Sequence, residues 1–380
     1  MASRLLARLD AQIAAAGSPV AAACLRARKA TYLARQGREA EAAAIVASIR
    51  EAFGKAPNAE VTAWVSLVES LIQFYGNPGP MAMDRLRRAD ALSRAINHPE
   101  LVALCAAWLA HMEFNDRQMV PMVAHAAQAL RLAQPTHHAT LARVSLDIAD
   151  ALHFAGRIDL AKPWYAAVRD HALAEGDDAM ISAMLHNSAT LRANNVRLAD
   201  AFGESQSEQA AQALMEAEST KNFDIGIGTA SLTIYVPLIR AQLLTVQGRH
   251  GEALALFDNN LDQASEQGMG RMKLTLYADR ALCNLRLGLV EQARQDISSA
   301  LDCESAACDP DDRAIMHAQV ARLLRELGDS KSAAAHRKLA EGHLSVHAAA
   351  QHELLEQIRQ ILPAGPVALG AAGVLKSGAP

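Results

Sequence analysis

Apolar residues fall at helical spacing through most of this chain, and glycine or asparagine punctuates them. Leu5, Leu6, Leu9 and Ile13 share one face of an N-terminal amphipathic helix, and Gly17, Ser18 and Pro19 then give a start signal for the next. Beyond it the predicted turns stand at Gly37, Gly76, Gly156, Asn194, Gly248, Gly288 and Gly328. Several gaps are nearly equal: 37 to 76 is 39 residues, while 248 to 288 and 288 to 328 are 40 each. The gap from 76 to 156 is 80, room for two units, and places the missing turn near Asn115 to Arg117.

Small residues repeat in register with these glycines. Seven positions before five of them stand Ala30, Ala149, Ala241, Ala281 and Ala321, and five positions after stand Ala42, Ala161, Ala253, Ala293 and Ala333. Alanine is 80 of 380 residues, about a fifth, so ten matches in ten positions are not chance. Leu33, Leu152, Leu244 and Leu324 lie four before the glycine, with Asn284 the exception. Val46, Tyr165, Phe257 and Ile297 lie nine after, with Arg337 the exception.

A helical hairpin explains the pattern. Glycine adopts the left-handed conformation that ends the first helix, and asparagine at Asn194 can do the same. Facing alanines let the two helices approach closely, and the larger residue fills the gap against the next hairpin. The segments LRLGLVEQA (Leu285 to Ala293) and TVQGRHGEALALF (Thr245 to Phe257) resemble tetratricopeptide (TPR) repeats. The resemblance covers most of residues 19 to 341, and the spacing near 40 matches the longer-helix type seen in bacterial regulatory proteins rather than the usual ~34. It implies an all-α fold: a right-handed superhelical α-solenoid of about eight hairpins, whose function is binding, usually of peptide segments.

Four regions are expected: a capping helix over residues 1–18, the repeat array over 19–341, an extended C-terminal helix over 342–362, and a disordered tail over 363–380. Prolines Pro57, Pro99, Pro135 and Pro310 punctuate the junctions. The gap from Asn194 to Gly248 is 54 and holds GESQSEQAAQ and ESTKNFDIGIGTA; a longer helix with a loose connector is the expected form, and a loop folding over the groove is the functional alternative. Gly226 and Gly228 lack the strand, third glycine and lysine of a phosphate loop. In resembling bacterial proteins a long terminal helix leads into an effector domain. Here the glycine- and proline-rich residues after Leu362 are too few to fold as one.

Composition narrows the function. Aromatics are 4%, and the apolar surface is that of small residues suited to close helix packing, which fits no strand class. A net charge of -4 and a pI near 6.4 offer no basic field for a phosphate backbone, so nucleic acid is not an expected partner. Cys24, Cys105, Cys283, Cys303 and Cys308 are odd in number and scattered, as in reduced thiols of a cytoplasmic protein. No signal segment, membrane span or anchor is read.

No nucleophile with its base, paired carboxylates or catalytic signature emerges, so no enzyme and no cofactor are expected. His336, His343 and His347 share one stripe of the last helix, but Glu341 and Glu353 face elsewhere and no further ligand is evident, so the stripe reads as polar or partner-facing. Cys303 and Cys308 lack a second pair for a metal, and Asp309 to Asp312 reads as a helix start.

The first helices of the hairpins would line a concave wall. Its expected partner-binding contributors are Arg35, Gln73, His111, Arg143, Asp150, His153, Arg192, Gln242, Arg286, Arg322 and Arg325. More are basic than acidic, which points to an acidic peptide segment or a peptide carboxylate. The lysines and asparagines of the carboxylate clamp found in chaperone-binding TPR proteins are not found. The chain thus reads as a cytoplasmic scaffold or adaptor, or alternatively as a ligand-responsive sensor acting on a separate effector, with the long C-terminal helix also offering a surface for a homodimer.

Overall fold

The structure is a computed structural model that describes residues 3–76, 79–228, 235–264, 269–362 and 365–366. Helix α1 (Arg4–Ala14) precedes eight consecutive pairs. These are α2 (Pro19–Arg35) and α3 (Glu39–Phe53), α4 (Ala59–Gly76) and α5 (Pro80–Ala95), α6 (Pro99–Asn115) and α7 (Met119–Leu132), and α8 (His138–Phe154) and α9 (Ile158–Glu175). Then follow α10 (Asp178–Ala201) and α11 (Ser207–Ile227), α12 (Tyr235–Val246) and α13 (His250–Asn260), α14 (Lys273–Arg286) and α15 (Val290–Asp302), and α16 (Pro310–Glu326) and α17 (Ser330–Ile361). No strand occurs among the described residues, and none of their helices is long and apolar enough to cross a membrane.

The glycine frame has a hydrogen-bond cause. Gly37, Gly156, Gly248, Gly288 and Gly328 all have φ between 73° and 88°. In each case the amide after the glycine donates to the carbonyl four residues before it: Arg38 to Leu33, Arg157 to Leu152, Arg249 to Leu244, Leu289 to Asn284 and Asp329 to Leu324, at 2.8–3.0 Å. This six-to-one closure satisfies a carbonyl the helix end would leave bare. The turn expected near Asn115 to Arg117 uses it without glycine: Arg117 has φ 58°, and Gln118 N–H donates to Glu113 O at 2.8 Å. Gly76, where a turn is expected, is the last residue of α4, and residues 77 and 78 after it lie outside the described residues.

The ten frame alanines are all buried, at 2% exposure or less. Ser18 caps α2 by accepting from Ala21 N–H at 3.1 Å, with Pro19 in the first turn. Pro99 and Pro310 likewise open α6 and α16; Asp309 occupies the cap position of α16, although its side chain makes no cap hydrogen bond.

One expected turn is corrected. Asn194 lies inside α10, which runs on to Ala201; its side chain accepts from Arg197 Nη1 at 3.4 Å instead of ending the helix. The closure falls at Gly203, φ 96°, where Glu204 N–H reaches Ala199 O at 3.0 Å. The 54-residue gap therefore splits differently, and the extra length goes into α10 and α11, of 24 and 21 residues. The insert, expected as a longer helix with a loose connector, is helical from Ser207 to Ile227, and residues 229–234 after it lie outside the described residues. The long last helix is a single element of 32 residues, with no break near residue 342. The tail expected to be disordered lies outside the described residues except at 365–366.

The chain forms two compact units. The first comprises Met1–Met184, Phe223–Ser231 and Glu353–Pro380, and the second Leu185–Asn222 and Leu232–His352; α10, α11 and α17 run from one into the other. In the first unit a core from Ala23 to Met112 joins α2 through α6, and Ala142, Leu146, Val168, Ala172 and Met180 join α8, α9 and the start of α10. In the second, Ala193, Val196, Ala210 and Ala213 pack with Ile239 and Leu243, and Phe257 and Leu282 sit in two further clusters over α12 to α16. All five cysteines are free, four of them buried, and burial pushes the thiols of Cys24, Cys105 and Cys283 up to about 12, which leaves them unreactive.

Candidate functional site

Helix α8 is buried along its whole length from Thr140 to Phe154, so its polar side chains must find partners inside the protein. Arg143 and Asp147, one turn apart, do so against α6. The Arg143 guanidinium lies 4.3 Å over the Trp108 ring, with Nη1 3.4 Å from His111 Nδ1 and 3.9 Å from Asp147 Oδ1. His111 Nδ1 sits 2.9 Å from Asp147 Oδ1, which assigns the imidazole proton to Nδ1. Burial, with the nearby Arg143 charge, lowers the His111 pKa against the opposing pull of Asp147.

Arg143 opens onto a small cavity of about 70 Å³ in the first unit, reached by α1, α2, α4, α6, α8 and the turn between α9 and α10. Leu5 and Leu9 of α1 pack there with Tyr32 and Ala179, and Gly176 admits the close approach of α1: a Cβ at that position would lie 3.2 Å from Arg4 Cβ. Across the cavity Arg35 Nη2 donates to Asp177 Oδ2 at 2.6 Å, and Asp177 Oδ1 accepts from Met180 N–H at 3.0 Å. Glu175 takes Arg8 at 2.7 Å and Arg28 at 3.6 Å. Asp177 and Glu175 are thus engaged, and Glu100 also lines the cavity, whereas Arg143 Nε and Nη2 and Arg35 Nη1 are buried without a protein acceptor. Three cationic N–H groups facing one cavity match the lone pairs of a carboxylate.

Of the residues marked in the sequence, Arg35 and Arg143 share this cavity and His111 stands behind it. Gln73 is half-buried on α4. Asp150 and His153 are turned into the α8–α9 hairpin, where Tyr165 OH donates to Asp150 Oδ1 at 2.8 Å and lies 3.2 Å from His153 Nδ1. In the second unit Arg192 meets Glu216 at 2.7 Å, buried Gln242 donates to Thr275 Oγ1 at 3.4 Å, and Arg286 grips Glu326 through two bonds of 2.6 and 2.8 Å. Arg322 and Arg325 line a separate open pocket with Arg337 beside the turn at Gly203, and Arg322 is 3.8 Å from both Asp200 and Glu326. Sequence reading missed Trp108, Asp147 and Asp177. The Arg143–Asp147 pair, set one turn apart on α8, was the available signal.

A second cluster lies wholly within the second unit. His317 of α16, 2% exposed, places Nε2 3.3 Å from Glu304 Oε1, and His343 Nε2 of α17 lies 3.9 Å from the same oxygen. His336 Nδ1 is 3.0 Å from His317 Nδ1. His347, marked in the same stripe, is buried apart from these, 3.9 Å from Asp311 Oδ1.

Buried neutral histidines couple folding to pH. The pKa of His111 is lowered as above, and that of His171 is lowered by burial and by His138, whose Nδ1 is 3.0 Å away. The unfolded chain holds these imidazoles near pH ~6.5, so it takes up protons first as pH falls below that value. The contribution to stability is therefore complete above that value and declines towards the lower folded-state pKa. Thermal midpoints read by circular dichroism should fall between pH 7.5 and about 5.5, and the fall should be shallower in His111→Gln. Equal slopes for the two proteins would refute the assignment.

No protein-family profile and no curated protein matches the sequence. Solved structures do match. A Rap protein complexed with competence and sporulation factor is similar over 87% of this chain and 88% of that one, with a TM-score of 0.55 and 12% identity. The Rap conjugation gene regulator of the plasmid pLS20, in complex with the Phr* peptide, is similar over 90% and 97%, with a TM-score of 0.51 and 14% identity. At these identities the likeness establishes the fold alone, an all-α array of helix pairs.

Proposed function

We propose that this chain is a non-catalytic, cytoplasmic regulator that binds a peptide segment, with a carboxylate of the peptide held between Arg35 and Arg143. The observation that carries the reading is the set of buried guanidinium nitrogens without a protein acceptor, Arg143 Nε and Nη2 and Arg35 Nη1, in residues that line the cavity. Unsatisfied buried donors cost about 1–3 kcal/mol each, more when charged, and a bound carboxylate removes that cost. The cavity is the size of a side-chain or terminal carboxylate, so the rest of the peptide lies outside it. The two similar Rap structures, one holding the Phr* peptide, give a precedent for this fold in peptide binding. Trp108 adds an aromatic floor that keeps the Arg143 guanidinium planar to its ligand.

The test is recovery of ligands from a pooled library of short linear peptides by the immobilised full chain, followed by calorimetry on those recovered. Retained peptides should carry an acidic residue or a free carboxyl terminus that amidation inactivates. Charge-assisted hydrogen bonds of roughly 1.5–3 kcal/mol place the loss in Arg143→Leu at about 10- to 100-fold, with helicity unchanged by circular dichroism. Recovery of no peptide, or undiminished affinity in folded Arg143→Leu, would overturn the proposal.

A further inference from the structure

We infer that Glu304, His317 and His343 form a binding site for a zinc ion in the last hairpin of the second unit. One atom from each, Glu304 Oε1, His317 Nε2 and His343 Nε2, lies within 4.8 Å of the other two. In a tetrahedral zinc site with bonds of about 2.0–2.2 Å, ligand atoms stand roughly 3.3–3.5 Å apart. The observed 3.3 Å from Glu304 to His317 is already of that size, and 3.9 Å from Glu304 to His343 needs a side-chain adjustment of about half an ångström. His343 has room for it, since its side chain is 19% exposed.

The three groups come from different elements. Glu304 stands in the turn after α15, His317 is buried in α16 and His343 is on α17, so one ion would tie the connecting turn to both helices of the hairpin. Two imidazoles and a carboxylate, with a water as fourth ligand, suit zinc, and poorly suit magnesium or calcium, which prefer oxygen ligands throughout. His336 supplies the orienting contact. With His317 Nδ1–H donating to His336 Nδ1 at 3.0 Å, the His317 proton is held on Nδ1 and the Nε2 lone pair is left towards Glu304 and His343.

Arg313 is the competing group: its Nε donates to Glu304 Oε1 at 2.7 Å. The guanidinium is 30% exposed and can shift to the second carboxylate oxygen when the first takes the ion. The imidazoles are ready as neutral ligands. Burial holds His317, His336 and His343 below the usual histidine range, while Arg313 and His317 hold the Glu304 carboxyl low against the opposing effect of burial.

The test is zinc titration of the chelator-stripped full chain at neutral pH against a chromophoric zinc competitor, with Co²⁺ as the spectroscopic probe. One equivalent of zinc per chain is expected, together with a rise in thermal midpoint and tetrahedral Co²⁺ absorption bands. His343→Ala and Glu304→Gln, checked for helicity, should each weaken zinc by more than about 100-fold, and the positioning variant His336→Ala by about 10- to 100-fold. His352→Ala, an exposed histidine on the same helix, should bind as the unaltered chain does. Absence of stoichiometric zinc, or unchanged affinity in both folded ligand variants, overturns the site.

Discussion

Replacing Arg197 with alanine is expected to lower the unfolding free energy by about 3–5 kcal/mol, the range for breaking a buried ion pair from one side. Arg197 and Asp279 are 2% and 3% exposed at their side chains, and both Nε and Nη2 of the arginine donate to Asp279 Oδ2, at 3.1 and 2.7 Å. Their partnership joins α10 to α14 across 82 residues of sequence. Burial already raises the Asp279 carboxyl above the usual range despite the neighbouring guanidinium. Without Arg197, burial and the like charge of Asp200 are opposed only by the Gln242 hydrogen bond, and the aspartate must either stay charged at high cost or take up a proton on folding. The sign follows. The unfolded carboxylate ionises near ~3.9, so the penalty in Arg197→Ala grows as pH rises above that value and shrinks on acidification. Urea denaturation at pH 7.5 and at about 5.5 should give the larger loss at the higher pH. The double change Arg197→Leu with Asp279→Leu should recover most of the loss, because an apolar pair of similar volume avoids desolvation altogether. A loss below about 1 kcal/mol in Arg197→Ala would show that the pair is solvated and weak.

The difference between what was and was not legible in the sequence is one of range. The hairpin is a local event: a glycine with positive φ, the bond from the next amide to the carbonyl four before the glycine, and an alanine on either side all lie within about a dozen residues. Such a unit repeats visibly, and its alanines proved buried at every frame position. Asn194 misled because asparagine tolerates the left-handed region without requiring it, and the helix gains further backbone bonds by running on to Gly203. Arg117 takes the left-handed turn with no compositional sign of it, and only the spacing located it. The cavity was not legible as a site because Arg35 and Asp177 meet across 142 residues. The same holds for the histidine cluster. His336 and His343 were visible as a stripe, but His317 and Glu304 reach them from α16 and the preceding turn, and pairing between helices is not written in the period of either one.

Ala281→Leu should destabilise the protein by about 1–3 kcal/mol, the usual cost of inserting methylenes into a filled core. Ala281 is fully buried in α14 among Ile297 and Ala300 of α15 and Met316, Val320 and Leu323 of α16, so a larger side chain must displace one neighbour or the other. Hydrophobicity alone argues the opposite sign, since leucine offers more apolar surface than alanine, and close packing is what reverses it. The comparison that isolates packing is Ala348→Leu at an exposed position of α17, which should change stability by less than about 0.5 kcal/mol. In a repeat array most of a hairpin's packing is with its neighbours, so, apart from the Arg197–Asp279 pair that ties α10 to α14, the damage should be local. Native-state hydrogen exchange should therefore show lost protection in α14, α15 and α16, with the amides of α2 and α4 in the other unit little changed. Uniform loss over both units would mean that the chain unfolds as one cooperative block. A neutral or stabilising Ala281→Leu would mean that the alanine frame reflects helix propensity and not the close approach of paired helices.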